Sequence, residues 1–283
     1  KPTSLNPAGM TNGDFPYVPQ NDDSALDLNA SAWSLIEIKT PSGGSIHVEY
    51  EADDYAYIQD QPAMQMFTVH GAGNSIAYNG NTNLYENDYL YIKRPSTIPS
   101  DAPPSYIENL LFGPKRQMDN MYFKFLINLK PGNFESVSGY VTAEQAGVCP
   151  YPNSDYMYVK LKKSSPNAIS RTSWGFFRQN MFEVLYNQPN VSDNGIESVV
   201  RGIAANMADI KQLFSGVENY LKSRSIAKQF VTEQSFIRLY EPTKSKKGGG
   251  SRVKNIFIND NWNELSGEGE NSTYGQEYIY SSD

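Results

Sequence analysis

The sequence predicts a mainly β fold, with antiparallel hairpins forming an open sheet or part of a shell, and an α-helical insertion at about 173–229. Three observations carry this reading. Apolar and polar residues alternate with period two in many short runs rich in β-branched and aromatic side chains. Gly, Pro, Asn and Asp separate those runs. Past Ser173 the apolar spacing changes to three and four.

Residues 1–31 are rich in Asn, Asp, Pro and Gly and read as an irregular lead-in. Residues 33–57 follow as a hairpin. Trp33, Leu35, Ile36 and Ile38 mark its first strand, Ile46, Val48 and Tyr50 its second, and Pro41-Ser42-Gly43-Gly44 its turn. Further strands are expected at 63–70, 87–93, 121–129, 135–141 and 156–162, with a Gly/Asn-rich loop at 71–83. A short helix is expected at 105–112, capped by Ser105 with Glu108 three residues on. Together residues 32–172 form a β-rich region.

In 173–229, residues 174–186 suit one helix, and Ile196, Val199, Val200, Ile203, Met207, Ile210 and Leu213 line one stripe of a second, longer one. Residues 230–283 return to hairpins that continue the sheet, with strands at 236–240, 251–259 and 274–280 and a turn segment at 241–250.

Composition narrows the function. The chain of 283 residues carries a net charge of −7, which disfavours a nucleic-acid partner. No run approaches the roughly 20 apolar residues of a membrane-spanning helix. Cys149 is the one cysteine, so the chain has no internal disulfide and no thiolate zinc site, and it reads as a small buried thiol. The chain begins with Lys1 and ends just after a strand, and is expected to be a processed product or an excised piece of a longer chain.

Two segments, WSLIEIKTPSGGSIHVEYEADDYAYIQD (33–60) and GGGSRVKNIFINDNW followed by STYGQEYIY (248–280), resemble segments of very large secreted or surface proteins of Bacteroidota with Rhs/YD-repeat-like character. Trp33, Leu35, Ile38, Pro41, Gly43, Gly44, Tyr50 and Glu51 match one family pattern. Gly249, Gly250, Arg252, Val253, Lys254, Ile256, Glu277, Tyr278 and Tyr280 match the other. The resemblance implies a long sheet of successive hairpins, either open or curled into a shell or tube. A regular YD repeat is absent, and the helical insertion is not part of such a unit.

No catalytic constellation and no cofactor motif emerges. The two histidines, His47 and His70, stand on separate strands, and no G-x-S-x-G elbow occurs. Lys-Lys-Gly-Gly-Gly at 246–250 lacks the order of a phosphate loop and reads as a turn. Glu49, Glu51, Asp53 and Asp54 read as a solvated acidic edge. Calcium is the one ion for which ligands are on offer, at Asp260, Asn261, Asn263 and Glu264 in an acidic loop at 260–271, although a plain polar loop accounts for the same residues. Tyr55, Tyr57, Tyr89, Tyr91, Tyr156 and Tyr158 alternate on strands as an interaction stripe, with ordinary cross-strand pairing as the simpler account.

The expected function is that of a non-catalytic structural or interaction segment of a large extracellular or cell-surface β-scaffold. Its partners would be the rest of a longer chain or other subunits. The alternative is a carbohydrate-binding or carbohydrate-active module, or a toxin-delivery module with an Rhs-like encapsulating shell.

Overall fold

The computed structural model describes residues 8–130, 133–180, 218–219, 221–261 and 273–281. The fold is mainly β, and the strand pairs whose register the described residues define are antiparallel. The strands are β1 (Glu37–Lys39), β2 (Ser45–Tyr55), β3 (Tyr57–Ile58), β4 (Gln61–Pro62), β5 (Met64–Gly73), β6 (Tyr89–Lys93), β7 (Asn120–Lys130), β8 (Asn133–Val148), β9 (Tyr156–Leu161), β10 (Phe236–Tyr240), β11 (Lys246–Asn259) and β12 (Thr273–Glu277). The helices are α1 (Asp23–Ala30), α2 (Pro104–Phe112) and α3 (Ala168–Gln179). The chain divides into two units. One comprises 1–6, 15–65 and 240–283, and the other 7–14 and 66–239.

The first unit is built on an open sheet of order β1-β2-β11-β12. The two segments that carry the family resemblance are therefore neighbours in one sheet. The expected first strand of the opening hairpin shortens to β1, because the chain leaving α1 turns: Ser31 N–H donates to Asp27 O and Ser34 N–H to Ser31 O. Trp33 is left fully exposed on that turn. The reversal into β2 falls where Pro41–Gly44 place it. Thr40 N–H donates to Gly44 O at 2.8 Å, and Gly43 adopts a φ of 88°.

The expected irregular lead-in is corrected by α1 and by a 3-10 segment at Asn12–Tyr17. Asp22 caps α1 by accepting from Ala25 N–H. Asp27 on α1 accepts from Ala52 N–H at 2.8 Å and meets Lys247 Nζ at 3.4 Å, which ties the helix to one end of the sheet. A buried ion pair lies at that end. Lys246 Nζ stands 3.0 Å from a Glu241 carboxylate oxygen and donates to Val18 O at 2.7 Å. Burial pushes the Lys246 ammonium down despite the neighbouring Glu241 charge.

The second unit is a closed barrel of order β10-β5-β6-β9-β8-β7. Its interior follows from strict alternation: Met121, Phe123, Phe125, Ile127 and Leu129 on β7 are all completely buried, as are Met157, Val159 and Leu161 on β9. Two bulges keep this phase around the closure. At Val69/Gly71 and Ala143/Gln145 an extra residue is inserted, so that Val69 and Ala72, and Ala143 and Ala146, all face inward.

The helix α2 starts at Pro104 with Pro103 as its N-cap, and Ser105 makes no cap. Glu108 accepts instead from Ala146 N–H at 3.3 Å on β8. Of the helical insertion expected at 173–229, α3 begins earlier, at Ala168, where Asn167 caps Ile169 N–H; most of the rest, including the long amphipathic stripe, lies outside the described residues. Helix α3 buries Ile169, Ser170, Ser173, Trp174 and Phe177 along one face, and Trp174 Nε1–H donates to Ile226 O at 2.8 Å. Asp14 is held by Lys124 Nζ at 2.6 Å and by the Thr11 hydroxyl at 2.7 Å.

Two predictions follow from these buried charges. Glu241→Ala leaves the Lys246 ammonium buried without its carboxylate and is expected to cost about 3 kcal/mol in urea unfolding, whereas Lys246→Met combined with Glu241→Leu costs much less. At Asp14, burial raises the carboxyl pKa, but the bonds from Lys124 and Thr11 outweigh it and hold the group below its ordinary 3.8. The folded value is thus below the unfolded one. Its stabilisation is present above pH about 4 and is lost as pH falls through the folded pKa. Asp14→Asn is expected to flatten that acid limb in thermal melts recorded against pH.

Candidate functional site

Of the six tyrosines in the expected stripe, four converge. Tyr91 and Tyr158 are direct cross-strand partners on the outer face of the barrel, with Tyr89 and Tyr156 flanking them. The structure adds Tyr78, His70 and Cys149, which the alternation pattern did not single out. Tyr78 stacks on Tyr156 with ring centroids 3.9 Å apart, and meets Tyr91 edge-on at 5.3 Å. His70 meets Tyr156 edge-on at 5.8 Å, and Tyr89 meets Tyr158 at 5.7 Å.

The exposed stripe is corrected here: Tyr91 is fully buried and Tyr158 is 7% exposed. Their rings lie across glycines of the adjoining strands. A Cβ on Gly73 would collide with the Tyr91 hydroxyl, and one on Gly147 would come within 2.7 Å of the Tyr158 hydroxyl. Aromatic rings laid over sheet glycines cover backbone that a glycine leaves bare. A strap over β5 completes the cover. Ala72 N–H donates to Asn81 O, and Asn79, Asn81 and Asn83 each accept from the backbone N–H two residues on. The signal for this cover was present in the sequence, in the pairing of glycines at 71, 73 and 147 with tyrosines, but it becomes readable only with the register.

Burial pushes the Cys149 thiol up to about 12, and burial, with Cys149 beside it, raises the Tyr91 phenol to about 12. Neither group ionises near neutral pH, so neither Cys149 nor Tyr91 acts as a nucleophile or general base there, while burial lowers the pKa of the His70 imidazole. Tyr55 and Tyr57 belong to the other unit. Tyr55 is half-buried and pushed up by burial and by Asp53, while Tyr57 is exposed on β3.

The acidic stretch of β2 is not unpaired, because β11 runs beside it from Glu49 to Tyr55. Arg252 donates to Glu51 at 2.7 Å and to Asp54 at 2.8 Å, and its guanidinium lies over the Tyr280 ring at 4.4 Å. Asn255 donates to Glu49. The three glycines 248–250 form no turn. They sit in β11 where the register with β2 shifts between Lys247 and Ser251. Gly250 N–H donates to the Asp53 carboxylate at 3.0 Å, and a Cβ at Gly248 would collide with that carboxylate. Asp260 and Asn261 follow β11, with Asn261 at a φ of 53°; Asn263 and Glu264 lie outside the described residues. No group of three or more metal-ligating side chains occurs among the described residues.

What remains is the sheet itself. Its ladder places Ile38, Ile46, Ile258 and Tyr274 in one row, and Ile36, Val48, Ile256 and Gln276 in the next, all on one face. Tyr50 and Val253 extend this face. None of these side chains is buried. The opposite face carries Glu37, His47, Glu49, Arg252 and Glu277 and is also exposed. The outer edges of β1 and β12 have no strand beside them among the described residues. Every residue of β12 is exposed, and only Glu277 among them is charged.

No family model, no curated protein and no solved structure matches this chain. No helix among the described residues is long and apolar enough to cross a membrane.

The buried thiol gives a prediction. Cys149 is expected to resist a thiol-specific disulfide reagent at pH 8 in the folded protein and to react at once in denaturant. Fast labelling of the native state, followed by colour release, would contradict its burial.

Proposed function

We propose that the chain is a non-catalytic structural and interaction segment of a large β-scaffold, joined to the remainder of a longer chain or to other subunits through its open sheet. The observation that carries this reading is the sheet of β1, β2, β11 and β12, in which, among the described residues, no Ile or Val of the aliphatic face is buried and no strand lies beside either outer edge. A β-sheet normally buries one face against a second layer, and natural edges are blunted by charge, proline or cover. β12 has little of this protection. The tyrosine cluster fits the same reading, since its rings stack on one another and cover glycines. The secreted or cell-surface setting rests on the resemblance of 33–60 and 248–280 to Rhs/YD-repeat-like proteins.

The coding sequence and amide exchange test this proposal. The reading frame is expected to continue in frame beyond this chain into further hairpin segments. With those segments restored, backbone amides of β12 are expected to exchange at least tenfold more slowly. A frame that closes at this length with its own start codon, together with unchanged exchange at β12, overturns the proposal. Glycan turnover or glycan binding that is lost in Tyr89→Ala would favour a carbohydrate-directed module instead.

A further inference from the structure

We infer that Asn79 and Gly80 form a self-modifying site, at which the Asn79 side chain deamidates in the folded chain and releases the strap from β5. The site belongs to the barrel and does not rest on the reading of the open sheet. Asn-Gly pairs occur at 12–13, 79–80 and 194–195, and the last lies outside the described residues. Such a pair reacts by itself. The glycine nitrogen attacks the asparagine Cγ and closes a five-membered imide, because glycine has no Cβ to hinder the approach. The bond from Cγ to Nδ2 breaks, the proton lost by the glycine nitrogen passes through solvent to Nδ2, and ammonia leaves. Water then opens the ring. Opening at Cγ leaves aspartate. Opening at the backbone carbonyl leaves isoaspartate, which adds a methylene to the main chain. Nothing is oxidised or reduced, and water is the only co-reactant.

The fold prepares Asn79 for this step. Asn79 and Gly80 are both exposed, so water and base reach them. The Gly80 N–H has no acceptor among the described residues and is free to lose its proton. Asn81 N–H donates to Asn79 Oδ1 at 3.1 Å. That bond holds the side chain against its own backbone and stabilises the negative charge that develops on Oδ1 as Cγ is attacked. Asn12 differs. It starts the 3-10 segment Asn12–Tyr17, and no N–H among the described residues donates to its side-chain oxygen. The strap is also where the change has an effect. A Cβ on Gly71 would collide with Asn79 O and come within 2.9 Å of Gly80 Cα, so the main chain at 79–80 is seated directly on β5. An added methylene and a new negative charge do not fit that seat. On one side of it Tyr78 stacks on Tyr156, and on the other Asn81 O accepts from Ala72 N–H.

The full chain, folded and unfolded in urea, is held at pH 8, and peptide mass spectrometry follows deamidation and isoaspartate at each pair. The expected result is that Asn79 converts in the folded chain at least as fast as in urea, whereas folding slows Asn12 at least tenfold. Gly80→Ala is the control that keeps the fold, because its new Cβ meets nothing nearer than the Tyr78 hydroxyl at 3.3 Å. It is expected to slow conversion of Asn79 at least tenfold. As isoaspartate accumulates, the Ala72 amide is expected to exchange at least tenfold faster, and to stay protected in Gly80→Ala held for the same time. Asn79 conversion that folding slows as much as that of Asn12 overturns the site, because the fold then protects the pair. Conversion that leaves exchange at Ala72 unchanged overturns the release of the strap.

Discussion

The pairing of β2 with β11 is the constraint on which the first unit depends. It joins segments whose side chains, such as Glu51 and Arg252, are 201 residues apart in the chain. Closing so long a loop costs entropy that grows only slowly with length, and the contacts at the seam offset it. Arg252 answers two carboxylates, Asn255 a third, and Gly250 N–H a fourth. Two of the three glycines are explained by the same seam, since the Asp53 carboxylate occupies the space that a Cβ at 248 or 250 would fill. Placing α1 and the Lys246–Glu241 pair depends on this pairing too, because both are fastened to the end of the sheet where β11 begins.

The barrel solves the opposite problem with the same elements. A closed sheet has no edges to protect, and its core is filled by alternating large side chains on β7 and β9. Bulges on β5 and β8 hold that alternation in phase around the closure. On the outside, tyrosines replace what glycines omit. Glycine lets the strands bend and the strap over β5 approach closely, and the rings of Tyr91 and Tyr158 restore buried apolar area over them. A stripe that looks in sequence like a binding surface is thus largely an internal device of the barrel wall.

The two units treat their apolar faces differently. In the barrel the apolar face of every strand is satisfied internally. In the open sheet, among the described residues, no Ile or Val of the aliphatic face is buried and no strand lies beside either outer edge. The chain's thiol is buried and protonated, its carboxylates on β2 are tied to β11, and its tyrosines pack against each other.

By itself the sequence determined the local character of the chain. Period-two alternation placed the strands at 121–129, 156–162 and 236–240 close to where β7, β9 and β10 lie, because one side of each must face an apolar interior. Pro41–Gly44 located the first reversal, because few residues adopt the φ that Gly43 adopts. Tertiary structure decided the rest. Whether Glu49 to Asp54 formed a free acidic edge depended on a partner strand about two hundred residues away, and no local pattern encodes that distance. The glycines at 248–250 read as a turn in the sequence, whereas in the fold they lie in β11 with the Asp53 carboxylate filling the space beside Gly248 and Gly250. Tyr91 and Tyr158 read as exposed until the register set them over glycines. Alternation reports which residues share a face of a strand, and only the packing of the whole chain decides whether that face meets protein or water.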